Sequence, residues 1–286
     1  MVSYTQSSLL ASLRYRIPGP DNDVKRALCD QLELGLSAFY THLPQKMSAF
    51  GIDPIAQLRR LKANPEQNFT RQLIRTITAL KDRHTTLRLP QPWTNLVAYV
   101  PFVIEQVYEN DLPVYVVTQQ LYGFDEIPVG SVVTHWNGTP IHLYMNAIAR
   151  ETQGANWAAC VRLGVANLTI RPLAYVLMPG EDWVTLNYID PEGTAQAVTT
   201  PWRFYTNAPP PAAHGAASGG ATAAGYMLGL DEQTHVINKF RAEATEAPEA
   251  AKDVLTTDGI LRYGVVHTPT GRCGYLRIFS FEVPDV

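Results

Sequence analysis

The segment ALKDRHTTLRLP sets Asp82 and His84 two residues apart, just past an apolar series made by Phe69, Leu73, Ile77 and Leu80. Residues four apart share one face of a helix, so the step from Leu80 predicts that His84 turns inward at the helix end. An imidazole held there has the chemistry of a general base for a serine brought from elsewhere in the fold. The same position equally suits a histidine that interacts with the last carbonyls of the helix, and residue types alone leave both readings open. The chain contains no G-x-S-x-G elbow, no H-E-x-x-H helix and no Gly-rich phosphate loop. Ser218, in AASGGAT, is the serine with the most flexible surroundings, and a mobile linker cannot hold a nucleophile in attack geometry. His135, His142, His235 and His267 have no metal-ligand spacing and read as structural residues. Cys29, Cys160 and Cys273 are far apart and form no CxxC pair, so they read as small core residues of a reducing compartment. Neither a metal nor a cofactor is expected.

The elements that must position His84 are helical. Val24, Leu28, Leu32, Leu36, Tyr40 and Leu43 recur at helical spacing after the capping cluster Asp21, Asn22, Asp23, which predicts one amphipathic helix from Pro20 to Leu43. Asp53 followed by Pro54 opens a second helix with a stripe of Ile55, Leu58 and Leu61. A third is expected to open at Asn64 with Pro65 in its first turn and Gln67 reaching back, and to end near His84. After Pro92 the pattern shortens to β-rich runs, LVAYVPFVIEQVY, VYVVTQQLY and SVVTHWNGTPIHLY, with a tight hairpin expected at Asn137-Gly138. Helical composition returns from Met145 to about Arg171, and WVTLNYIDPEGTAQAVTTPW reads as two strands about a turn from Asp190 to Gly193.

Residues 206–226, rich in Ala, Gly and Pro, lack the large apolar side chains that offset ordering entropy and read as a linker or mobile loop. RYGVVHTPTGRCGYLRIFSF then predicts a hairpin about Thr268 to Gly271. Its closing run, GYLRIFSF, is apolar enough for burial on both faces, as in the opening strand of an unfinished core. The 286 residues are 46% hydrophobic and 17% charged, the composition of an ordinary soluble protein of up to two domains. With 23 basic and 26 acidic residues, a net charge of −3 and no long run of either sign, the chain carries no electrostatic footprint for nucleic acid. No basic-then-apolar leader and no stretch of about 20 apolar residues is present, so a cytoplasmic or trimmed chain is expected. The N-x-S/T matches at Asn68, Asn137 and Asn167 carry no weight without a secretion signal.

The order of FYTHLPQKMSAFGIDPIAQLRRL, LKDRHTT, GSVVTHWNGTPI, LTIRPL and GYLRIFSF resembles the serine peptidases of the tail-specific and tricorn-like family, over about residues 20–283. The resemblance implies an α+β chain. Residues 1–92 would be a helical amino-terminal region, 93–205 a PDZ-like module with inserted helices, 206–226 the linker, and 227–286 the incomplete start of a crotonase-type α/β core. It implies that His84 matches the histidine of the family's D-x-H-T segment, the general base of tricorn-type members, whereas the processing-protease branch uses a core lysine. Tyr122, Gly123 and Phe124 are the nearest match to the loop that holds a peptide carboxylate in such modules. The implied function is the amino-terminal portion of a serine endopeptidase that acts through an acyl-enzyme, with the nucleophile outside this chain and the chain alone inactive. The alternative is a non-catalytic peptide-binding protein or pseudo-peptidase. The implied partners are a peptide or unfolded protein and, as an oligomer, further copies of the chain, with no nucleic acid and no membrane span.

Overall fold

A two-residue strand, β1 (Ser8–Leu9), pairs antiparallel with Arg203–Thr206, Ser8 lying opposite Phe204. Helix α1 (Leu10–Arg14) follows it and buries Leu10 and Leu13 in the main core. Two residues of strand carry no readable periodicity, and sequence reading assigned nothing to this segment. The computed structural model describes residues 7–14, 19–65, 68–91, 93–206, 232–244, 255–257, 261–268 and 271–278. Two compact units result, Val2–Ala208 and Pro209–Val286, the latter together with Met1.

The first unit begins with a layer of helices: α2 (Asn22–Ala38), α3 (Leu43–Phe50), α4 (Pro54–Ala63) and α5 (Phe69–Thr78). Asp21 accepts the Val24 N–H at 2.8 Å and Asp53 the Ala56 N–H at 2.9 Å, so both expected caps close orphan amides at helix starts. Their apolar stripes meet in one cluster of Cys29, Leu36, Leu58, Leu61, Phe69, Leu73, Ile77 and Leu80. Three boundaries differ from expectation. The first helix does not run to Leu43; it stops at Ala38, and α3 restarts with Pro44 in its first turn, where a missing N–H is harmless. Asn64 ends α4 rather than opening α5, whose own cap position is Asn68, and Gln67 lies outside the described residues. Helix α5 stops at Thr78, six residues short of His84, because the Leu80 and Lys81 amides turn to the carbonyls of Ile77 and Thr78 and Lys81 adopts φ 51°.

The rest of this unit is β2 (Leu96–Tyr99), β3 (Phe102–Glu109), β4 (Leu112–Gln120), β5 (Val132–Trp136), β6 (Thr139–Pro140), α6 (Ile141–Arg150), α7 (Trp157–Thr169), β7 (Ile170–Pro172), β8 (Trp183–Ile189), β9 (Ala195–Pro201) and β10 (Arg203–Thr206). One antiparallel sheet has the order β1-β10-β2-β7; a second has the order β3-β4-β5-β8-β9, with β6 attached to β5. The apolar run LVAYVPFVIEQVY thus feeds two sheets, dividing at Val100-Pro101, where proline has no N–H to continue a ladder. Asn137 and Gly138 take φ 47° and 76°, as a type I′ hairpin requires, and Asn110 with Asp111 makes a second such turn at φ 49° and 64°. The core is filled by Phe102, Trp136, Leu168, Leu186 and Trp202, all fully buried. A partly buried polar group packs against it. The Arg171 guanidinium stands 5.0 Å over the Trp202 ring, Tyr144 stacks on Trp136 at 5.3 Å, and the Glu181 carboxylate accepts from Trp202 Nε1 and Tyr144. Burial pushes the Tyr144 phenol up to about 12, against the nearby Arg171 charge.

The second unit contains α8 (Glu232–Ala244) and an antiparallel sheet of β11 (Leu255–Thr257), β12 (Leu261–Thr268) and β13 (Gly271–Ile278), in that order. The sequence-predicted hairpin is present, with Thr268 opposite Gly271. The expectation of burial on both faces of GYLRIFSF is corrected for its described part: Tyr275 on one face is 36% and Leu276 on the other 62% exposed, so among the described residues neither face of the three-stranded sheet is fully covered there. Phe279, Ser280 and Phe281 lie outside the described residues, as does nearly all of the predicted linker, 207–226.

Candidate functional site

Just past the end of α5, Leu80 is buried in the helical core, and the chain then turns sharply through Lys81. Asp82 is the hub of this turn. Its Oδ1 accepts the His84 N–H at 3.0 Å, and its Oδ2 accepts the Tyr40 hydroxyl at 2.7 Å and the Thr85 hydroxyl at 3.3 Å. Burial works to raise the Asp82 carboxyl, but the bonds from Tyr40, the His84 amide and Thr85, together with the Lys46 charge, outweigh it and hold the group below the usual carboxylate range. Tyr40 is pushed in the opposite direction, upward, by burial and then by the bond to Asp82.

Lys81 fastens the turn on its other side. Its Nζ donates to the carbonyls of Arg150, at 3.2 Å, and Thr152, at 2.7 Å, where α6 ends and its last carbonyls lack helical partners. Lys46 Nζ in turn donates to the Lys81 carbonyl at 3.1 Å. Beside these contacts Arg75 grips the Glu151 carboxylate with two nitrogens, at 2.9 and 2.5 Å. The turn therefore joins the helical layer to the α6–α7 corner.

His84 itself is exposed, and among the described residues its ring has no hydrogen-bonding partner. The inward orientation expected from the four-residue step is corrected, since that step holds only within a helix and α5 ended at Thr78. The last carbonyls of α5, those of Arg75, Ile77 and Thr78, accept the amides of Ala79, Leu80 and Lys81, and no described hydrogen bond joins the His84 ring to them. What remains is a solvent-facing imidazole on a fixed turn, an arrangement able to take a proton from a hydroxyl that approaches from outside. Ser131 is fully buried and donates to the Pro128 carbonyl at 2.7 Å, so it is no partner for His84.

The turn Tyr122, Gly123, Phe124 follows β4 at the rim of the larger sheet. Gly123 takes φ 82°, and the Phe124 N–H is committed to the Leu121 carbonyl at 3.0 Å while its ring packs on Phe102. No described hydrogen bond or ion pair links this turn to His84. His135 shares a hydrogen bond with Thr134, His142 is exposed, and the side chains of His235 and His267 lie outside those described. Cys29 and Cys160 are buried as expected; Cys273, expected in a core, is exposed. Among the described residues, no group of three His, Cys, Asp or Glu side chains is placed to hold a metal ion, and no helix is long and apolar enough to cross a membrane. Sequence reading missed Tyr40, Lys46 and Lys81. Tyr40 read as one more apolar step of a continuous helix, and only the break after Ala38 frees its hydroxyl for Asp82.

The sequence matches no family model and no curated protein. In structure it is similar to CPAF, a chlamydial serine protease. Mature CPAF gives a TM-score of 0.56 at 19% identity over 90% of this chain and 47% of the CPAF chain. A serine-to-alanine variant of CPAF gives 0.59 at 17% identity over 90% and 48%, and mature CPAF complexed with lactacystin gives 0.54 at 17% over 90% and 48%. At these identities the likeness concerns the fold alone. The chain has a mixed α+β, CPAF-like fold and spans about half the length of the CPAF chains it matches.

Proposed function

We propose that this chain is part of a serine endopeptidase of the tail-specific and tricorn-like kind, with His84 as general base and the nucleophile supplied by residues beyond this chain. The observation that carries the reading is the exposed His84 imidazole on a turn fixed by Asp82, in a chain whose fold follows that of a serine protease over 90% of its length. In the proposed step His84 takes the hydroxyl proton as the serine oxygen attacks the peptide carbonyl, and returns it to the departing amine as the acyl-enzyme forms. The β-rich part, 93–205, serves as a PDZ-like module that receives an extended peptide, with Tyr122, Gly123 and Phe124 as candidate contacts for its end. The substrate class is peptide or unfolded protein; the complex of CPAF with lactacystin fits a site for peptide-like ligands. Residues 227–286 begin the catalytic core of this reading.

The test compares two proteins, the 286-residue chain and the product of the whole reading frame that contains it. The chain alone should neither cleave unfolded protein nor react with a fluorophosphonate, since a base without nucleophile and oxyanion donors cannot stabilise the tetrahedral intermediate. The longer product should label at one serine, and His84→Ala should lower its turnover by about 10² or more. Full turnover in His84→Ala would move the base to a lysine, and a longer product that binds peptide without labelling would leave a pseudo-peptidase.

A further inference from the structure

Asp82 stands two residues from His84 yet makes no bond to its ring. Its oxygens accept instead from the His84 main chain, the Thr85 hydroxyl and the Tyr40 hydroxyl, which arrives from 42 residues upstream. A carboxylate bonded to an imidazole N–H sets tautomer and ring orientation; one bonded to the backbone sets where the residue stands. The Tyr40 bond has a structural origin of its own. The stripe Val24, Leu28, Leu32, Leu36 predicts a helix running through Tyr40, but α2 stops at Ala38, and the Tyr40 carbonyl accepts the Leu43 N–H at 3.1 Å to start α3. A local pattern broken at one residue, whose side chain then supplies a 2.7 Å bond to the turn, is the kind of departure that accompanies a site.

We infer that Tyr40 and Asp82 are positioning residues for His84: the Tyr40 hydroxyl holds the Asp82 carboxylate, and the carboxylate fixes the main chain that presents the imidazole. The catalytic consequence rests on the reading of His84 as the base; the structural relation does not. The helical layer is then an integral part of the site rather than a detachable lid. Lys81, anchored on the Arg150 and Thr152 carbonyls, fixes the opposite side of the same turn, so the imidazole is held from two layers at once.

Amide hydrogen exchange in the 286-residue chain tests the relation directly, with Tyr40→Phe to remove the hydroxyl alone and Asp82→Asn to remove the charge. The His84 amide should exchange about tenfold faster or more in both variants, the effect of losing a bond to a charged group. The amides of Leu61 and Leu73 in the helical core should keep their rates. Unchanged exchange at His84 overturns the inference, and so does an equal rise at Leu61 and Leu73, which would show a general loss of fold. In the longer, peptide-cleaving product Tyr40→Phe should lower kcat about tenfold with KM within about twofold, since a misplaced base affects the chemical step and not substrate binding. A raised KM with unchanged kcat would refute the positioning role. His84→Ala, assayed beside it, separates the two claims: intact turnover there removes the base, while exchange at His84 still decides what Tyr40 holds.

Discussion

Gly154 lies in the corner between α6 and α7, two residues past Thr152, whose carbonyl receives Lys81. A Cβ added to it would stand 2.4 Å from the Cys160 nitrogen, 2.6 Å from the Ala159 carbonyl carbon and 2.9 Å from the Cys160 Cα. All three are main-chain atoms of the first turn of α7, so no side-chain rotation relieves the contact. Opening the gap from 2.4 Å to the 3.4 Å of ordinary contact requires the two segments to part by about 1 Å. That motion strains the Thr152 hydroxyl bond to the Cys160 carbonyl at 3.0 Å, the Cys160 thiol bond to the Gly154 carbonyl at 3.3 Å and the Asn156 cap on Ala159 at 2.8 Å. Overpacking costs about 1–3 kcal/mol, and two weakened buried bonds about 1 kcal/mol each, so Gly154→Ala should destabilise the first unit by about 3–5 kcal/mol.

Stability of a domain this size is about 5–15 kcal/mol, so the loss is large but the unit should still fold in the cold. At about 2–4 °C per kcal/mol the melting temperature should fall by roughly 10 °C, read by circular dichroism. The same variant should speed exchange at the His84 amide, because the displaced Thr152 carbonyl is a partner of Lys81. A loss below about 1 kcal/mol would refute the argument, showing that the corner yields without strain. So would full destabilisation with unchanged His84 exchange, which would mean that the corner does not support the turn.

Asp82 titrates below the ordinary value of its kind, so its contribution to stability is present above about pH 4 and lost as pH falls through its lowered folded value; Asp82→Asn should remove that part of the acid slope in urea melts. Tyr40 is shifted upward, so its contribution is complete below about pH 10 and is lost as pH rises toward its folded value; Tyr40→Phe should flatten the alkaline limb. In the second unit Tyr263, Val265, Tyr275 and Leu276 are exposed on one small sheet, and the whole chain should associate with further copies in size-exclusion runs while a chain ended at Ala208 stays monomeric. Leu276→Lys should reduce that association, and equal behaviour of whole and shortened chains would sink the idea.

Much of the fold could be read from local chemistry. The caps at Asp21 and Asp53 and the turns at Asn137-Gly138 and Asp190 to Gly193 depend on a few adjacent residues, and each stands where its side chains require. What escaped depends on distant partners. Strand β1 exists because Arg203 and Phe204 lie opposite it, and Val97 and Val103, both in one apolar run, enter different sheets because Pro101 interrupts the ladder between them. The exposure of β13 was equally unreadable, since apolar content states what a strand would bury and not whether a covering layer is present.

The site shows the same division more sharply. His84 was legible as a residue, in a segment where Asp82 and Thr85 flank it, but its placement was inferred from a helix that the chain had already left. The departure turns on Lys81, a non-glycine residue at φ 51°, a conformation that costs about 1–2 kcal/mol and persists only where surrounding bonds over-determine it. Here those bonds are identifiable: the Lys46 ammonium on its carbonyl, its own ammonium on the end of α6, and Asp82 beside it gathered by Tyr40. Removing any one leaves the strain without part of its support, so each should loosen the same turn from a different side. An unstrained loop would let His84 point anywhere; the left-handed residue, held from both layers, restricts the path of the main chain that presents it. That restriction is what the proposed role of His84 as a base requires.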